Sequence, residues 1–284
     1  MNNPKKHHFV PKFLLKQWIY KDKKLWLYLK NDIGNSPKLA STSDVGHEKN
    51  LYTTTNGEKK VETDFFGEID RNASEVHRKI LLKKVLNNED KRKFTQFIST
   101  LHIRNPELIN EMKLFNENRR VSNLSFAEKQ YEKNGDDDRK LFEKKQYDDT
   151  AKLVQIFSTI GEETAMSKQY EKDFETILSA DWRIYNNESV YNFITCDFPM
   201  LVIPFSGSNT NGFALPETFG IVLPLSPQIC LIISNSKSFL NETKHSPQKE
   251  FVKKVNVALV KKAINQIFAK EDCLKQFISE NYKA

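Results

Sequence analysis

The sequence predicts an α+β fold: a helix-rich chain with a small, mostly antiparallel sheet built largely from residues 181–234, to which N-terminal strands can add. Three observations predict it. Apolar residues recur at helical spacing between residues 61 and 101. Short β-type runs bounded by Pro, Asn, Gly and Ser crowd between residues 181 and 234. The order is mixed, then helical, then strands, then helical, which is unlike a repeating βαβ pattern.

Taken in order, Pro11 opens a short helix in "PKFLLKQWIY", because its missing N–H falls where no partner is needed. "KLWLYLK" reads as a strand with apolar groups on both faces, and "NLY" as a second strand closed by the turn "NGEK". Val61, Phe65, Ile69, Ala73, Val76 and Ile80 form one stripe of a helix, and Phe94, Phe97, Ile98 and Leu101 mark the next. That second helix ends at Asn105-Pro106, since the residue before a proline avoids helical angles. Residues 116–150 are polar and read as a linker or mobile insertion within one domain, 1–284. A long amphipathic helix follows. "WRIYN", "VYNFITCD", "MLVIPF", "GIVLPLS" and "QICLIIS" are the strands, and helical segments occupy Pro247 to Tyr282.

Twenty Phe, 9 Tyr and 3 Trp against 9 Gly exclude a disordered chain. Residues 1–30 hold eight lysines and one acid, Asp22, so this segment carries the whole net charge of +7 and the remainder sums to zero. Lys5, Lys6, Lys12 and Lys16 form a patch suited to phosphates, which makes nucleic acid the expected partner; the bland alternative is a solvated face. Three separated cysteines without CxxC spacing suit a reducing cytoplasm. No apolar run spans a membrane, because Pro224, Ser226 and Pro227 break the most apolar stretch. GxxxxGK[ST], GxGxxG, GxSxG and HExxH are all missing, which removes support for P-loop, Rossmann, hydrolase-elbow and zincin chemistry.

Several side chains can carry chemistry. His7-His8 followed by Val10-Pro11 is how many ββα-metal (HNH-type) nucleases begin, and "GHEKNL" (His47, Asn50) echoes the later part of that motif at long spacing. Glu62 lies near the middle of the first apolar stripe, with Asp70 eight residues on; acids on a buried face need a partner or a raised pKa. Arg104 flanks the apolar face of the next helix, where its fork suits a phosphate or a structural pairing with Glu62 or Asp70. Asp197 ends the run "NFIT", a place for a functional carboxylate or a turn former. "RNASEVH" (Arg71, His77) matches the Arg-polar-x4-His pattern of HEPN ribonucleases, although six helical residues separate the two side chains by about 120°.

The ordered set "HFVPKFLL", "NLYT", "VETDFFGEIDRNAS", "HIRNP", "ITCDFP" and "PLSP" resembles domain-of-unknown-function family 4238 from about residue 7 to about residue 270. The resemblance implies that His8, Glu62, Arg104 and Asp197 are the positions to watch. Asp70 stands where the family often has Glu, and "RNASEVH" is outside the pattern. The family carries no settled activity. Its members look like solitary bacterial cytoplasmic proteins, linked in some cases to mobile elements or phage defence.

These readings converge on one expectation. His8, Glu62, Arg104 and Asp197 meet in a cleft that cleaves phosphodiesters, with His8 as base, Arg104 on the phosphate, and Glu62 and Asp197 on a Mg or Mn ion. The rival is a non-catalytic binding or sensor module in which the same four residues form a buried polar network.

Overall fold

The computed structural model describes residues 6–51, 61–104, 106, 165–205 and 215–282. The "NGEK" turn, the polar stretch 116–150 and the first part of the long helix lie outside the described residues. The fold is α+β, as the sequence predicts.

The N-terminal third is built around a basic, aromatic-rich segment. Strand β1 (Lys6–His8) leads through Pro11 into a single helical turn, α1 (Lys12–Leu15), continued as a 3-10 turn to Trp18. Pro11 sits just before the helix, and its carbonyl accepts the Leu14 and Leu15 N–H groups. Strands β2 (Lys24–Leu29), β3 (Lys38–Ser41) and β4 (His47–Lys49) follow. The sequence places the second strand at "NLY"; it lies instead at His47–Lys49 and ends before Leu51.

A π-turn, Val61–Phe66, opens α2 (Gly67–Leu81), and α3 (Asn88–Ile103) packs beside it. The Asn87 side chain accepts the Asp90 N–H at 2.8 Å while the Asp90 carboxylate accepts the Asn87 N–H at 3.2 Å, a reciprocal cap that starts α3. Lys79 on α2 also reaches Asp90 at 2.6 Å, tying the two helices, and this bond holds the Asp90 carboxyl below the usual carboxylate range. The helix stops at Ile103, two residues before Asn105-Pro106.

The C-terminal half contains α4 (Ala165–Ser179), β5 (Asp181–Asn186), β6 (Thr195–Cys196), β7 (Leu201–Pro204), β8 (Phe219–Pro224), β9 (Ile229–Ser234), α5 (Lys237–His245), α6 (Gln248–Lys262), β10 (Gln266–Ala269) and α7 (Lys275–Tyr282). The strand β10 lies among the helical segments that the sequence places between Pro247 and Tyr282 and was not expected there. "NQIFAKE" carries three apolar residues in a row, too short a signal to separate strand from helix.

All pairings are antiparallel. β1 and β4 form a two-stranded ribbon, β3-β2-β10-β6 one sheet, and β5-β9-β8-β7 the other. The predicted 181–234 sheet is this last one, except that β6 leaves it to pair with β10. Strands β8 and β9 are buried at every position. Phe219, Ile221, Leu223, Leu231 and Ile233 face a core shared with Trp18, α2 and α3, while Val222, Cys230 and Ile232 face a second core with Phe251, Val255 and Leu259 of α6. A sheet covered on both faces explains the continuous rather than alternating apolar runs there. No helix among the described residues is long and apolar enough to cross a membrane.

Candidate functional site

The ribbon is positioned by a glycine. Gly46 precedes β4 with φ +61°, and a Cβ there would meet the Val10 Cβ at 3.0 Å. A side chain at this position would therefore be strained twice, by conformation and by space. The Gly46 carbonyl accepts both the Phe9 and the Val10 N–H, at 3.0 and 3.1 Å, and its own N–H donates to the Gln266 side chain at 3.0 Å. The end of β1 is thus clamped onto the start of β4, and the ribbon onto β10.

This clamp sets a register in which Lys6 faces Lys49, His7 faces Glu48 and His8 faces His47. Side chains alternate along a strand. His7 is fully buried on the inner side of β1. Lys6, His8, His47 and Lys49 share the other face. The His8 and His47 rings meet edge to face with centroids 5.3 Å apart. Lys6 is bound to Asp44 at 2.6 Å. Burial and then the charges of Lys12, His47 and Lys6 depress the His8 pKa from 6.5 to about 4. Burial, followed by Lys6, Lys12 and Lys49 against Asp44, also lowers His47. Both imidazoles are therefore neutral at physiological pH. Hydrogen bonding to the Lys6 backbone opposes this depression of His8 only in part. Sequence reasoning named His47 only as an echo of the later HNH motif and did not place it against His8, because the pairing spans 39 positions.

The sign of the pH dependence follows. Between pH 6.5 and about 4 the unfolded chain protonates His8 while the folded chain does not, so stability falls as pH drops through 6.5 and the loss is complete below about 4. Allowing for the partial exposure of the ring, His8 contributes on the order of 2 kcal/mol to that loss. Urea midpoints at neutral pH and near the lower limit should show His8→Gln losing less stability than the wild type on acidification. An equal loss in both would contradict this assignment.

Arg104 lies elsewhere in the contact network. Its side chain is fully buried and its Nη2 is 2.7 Å from Asp70 Oδ1, on α2. The guanidinium carbon sits 4.3 Å from the Phe66 ring centroid and 5.9 Å from that of Phe97, and Nη2 donates to the Thr100 hydroxyl at 3.3 Å. Of the two partners that sequence allows, Asp70 is the one seen; the Glu62 side chain lies outside the described residues, with its backbone in the π-turn.

Asp197 follows β6 and holds the turn between α6 and β10. Its Oδ1 accepts the Ile264 N–H at 2.8 Å, and its Oδ2 accepts those of Asn265 and Gln266 at 2.7 and 2.6 Å. Burial pushes the carboxyl up, while these donors and Lys30 pull it down; the net direction is up. Both oxygens serve the backbone, so the expected ligand role gives way to a turn-holding one. Lys30 completes the arrangement, donating to the Ala263 carbonyl that ends α6.

The hydrogen-bond, ion-pair and ring contacts of Asp197 and of Arg104 share no member among the described residues, and neither set includes His8. His77 is buried, bonded to the Leu225 carbonyl at 2.9 Å and edge-on to Phe13, whereas Arg71 is exposed. The two therefore do not share a face, and the metal-free HEPN arrangement is not formed within this chain. Lys12 and Lys16 are exposed, Lys12 close enough to act on His8 and His47, and Lys5 lies outside the described residues. Among the described residues no group of three or more His, Cys, Asp or Glu side chains stands close enough to hold a metal ion.

Neither the curated proteins nor the solved structures contain a match to this chain. The family model described as "Protein of unknown function (DUF4238)" matches residues 6–272, nearly the whole length, and the chain therefore belongs to that family.

Proposed function

We propose that the protein is a nuclease-like, phosphodiester-directed enzyme whose reacting surface is the outer face of the β1–β4 ribbon. The observation that supports it is the register placing a neutral His8 opposite His47 on a strand pair followed by a helical segment from Val61, with lysines on either side. A neutral imidazole can take a proton from water or from a ribose hydroxyl, Lys6 and Lys12 supply the charge that draws a phosphate to it, and a phosphate bound there offsets the lysine charges that make His8 a weak base. The described residues do not form the ligand group that a Mg or Mn ion needs, so no step here passes through one. The setting among mobile elements or phage defence belongs to the same proposal.

A second reading is favoured by the Arg104 and Asp197 arrangements, which serve structure in two separate places. In that reading the ribbon binds nucleic acid without cleaving it.

One experiment separates them. Labelled single- and double-stranded DNA and RNA are incubated with the protein in Mg²⁺, Mn²⁺ or EDTA, beside His8→Ala. Cleavage that falls by about 100-fold or more in a folded His8→Ala supports catalysis with His8 as base. Salt-dependent binding without cleavage of any substrate supports the second reading.

A further inference from the structure

The outer face of the ribbon carries basic residues at each of its paired positions. Lys6 stands directly opposite Lys49 and His8 directly opposite His47. Like charges directly across a strand pair are destabilising, and Lys6–Lys49 is such a pair, next to the neutral His8–His47 pair on the same face. Lys12 adds a further cation close enough to act on both imidazoles. Among the described residues the acid acting on this face is Asp44, and it is engaged with Lys6 at 2.6 Å. Three lysines against one aspartate leave a surplus of two positive charges around two half-buried imidazoles. The His47 Nδ1 is buried without a hydrogen-bond partner among the described residues. A surface of this kind gains most from an anion that offers several acceptor oxygens at once.

We propose that the face formed by Lys6, His8, His47 and Lys49, with Lys12 beside it, holds one phosphate-type oxyanion, and that His47 takes up a proton as the oxyanion arrives. This deepens the reading above and rests on it: the oxyanion is the phosphodiester group of a nucleic acid. The coupling follows from the charges. Lys6, Lys12 and Lys49 disfavour a proton on His47, and Asp44 alone opposes them. A bound oxyanion offsets the lysines, so the protonated imidazole becomes the better donor. Protonated His47 beside neutral His8 is then an acid and base pair on one phosphate.

The test is calorimetric titration, with EDTA present throughout, in two buffers of different ionisation enthalpy. The probes are sulfate, whose charge is constant across the pH range used, and a short single-stranded oligonucleotide without terminal phosphates. Both should bind more tightly as pH is lowered from about 8 to about 6, with uptake of roughly one proton per site. His47→Gln should abolish the proton uptake. Lys12→Ala with Lys49→Ala, both exposed and outside the core, should weaken sulfate binding about tenfold. The equally charge-reducing pair Lys253→Ala with Lys270→Ala should leave it within about twofold.

Binding that is independent of pH, or weakened equally by the two lysine pairs, would overturn the proposal in favour of nonspecific charge. Sulfate binding without oligonucleotide binding would place the site's ligand among free oxyanions and overturn the phosphodiester assignment. Proton-coupled binding of both probes with no cleavage would keep this site and sink only the catalytic reading.

Discussion

Arg104→Ala should destabilise the protein by about 2–4 kcal/mol, because a large buried side chain is lost together with an ion pair whose other member, Asp70, keeps partial access to solvent. The guanidinium is fully buried, 2.7 Å from Asp70 and 4.3 Å from the centroid of the Phe66 ring. Its loss removes the charge pairing between α2 and α3 and leaves a hole between Phe66 and Phe97. Arg104→Lys should recover little, because an ammonium provides neither the planar fork nor the stacking surface. Arg104→Met with Asp70→Asn should recover part of the loss, since it removes both charges and refills the volume. Urea denaturation of Arg104→Met, of Asp70→Asn and of the double variant gives the coupling directly. Wild-type stability in Arg104→Ala would show that the residue is not part of the fold's framework and would return it to the candidate ligands.

Asp197→Ala should cost a comparable amount by a different route. Three backbone N–H groups, those of Ile264, Asn265 and Gln266, lose their acceptor at once. Each buried donor left unsatisfied costs about 1–3 kcal/mol, and partial solvent access at this turn brings the expected total to about 3–5 kcal/mol. Asp197→Asn keeps one acceptor oxygen and should cost roughly half as much. Hydrogen exchange should localise the damage to residues 263–269, where β10 joins β2 and β6. Uniform protection across β10 in Asp197→Ala would contradict the turn-holding role.

The fold was legible wherever period and length agreed. The α2 stripe from Ile69 to Ile80 and the paired apolar runs of β8 and β9 announced themselves because burial imposes one pattern over many residues. β4 and β10 were not legible. A strand of three or four residues shows too little alternation, and its existence depends on partners far away: Lys49 on Lys6, Gln266 on Leu29. The candidate site divides along the same line. That Arg104 and Asp70 need partners could be read from their place beside an apolar stripe. That Asp197 would bond three main-chain donors more than sixty residues away could not, because backbone donors leave no mark in the side-chain sequence. His47, in the sequence only a distant echo of an HNH motif, gained a partner once the ribbon register set it against His8.

The central assignment separates a reacting surface on the ribbon from structural roles for Arg104 and Asp197. The most direct test is an amide hydrogen-exchange map of the wild-type chain with and without a saturating single-stranded oligonucleotide. Protection should rise in residues 6–12 and 44–49 and stay unchanged at 100–104 and 264–266. New protection centred on Arg104 or on the Asp197 turn, with the ribbon unaffected, would contradict it.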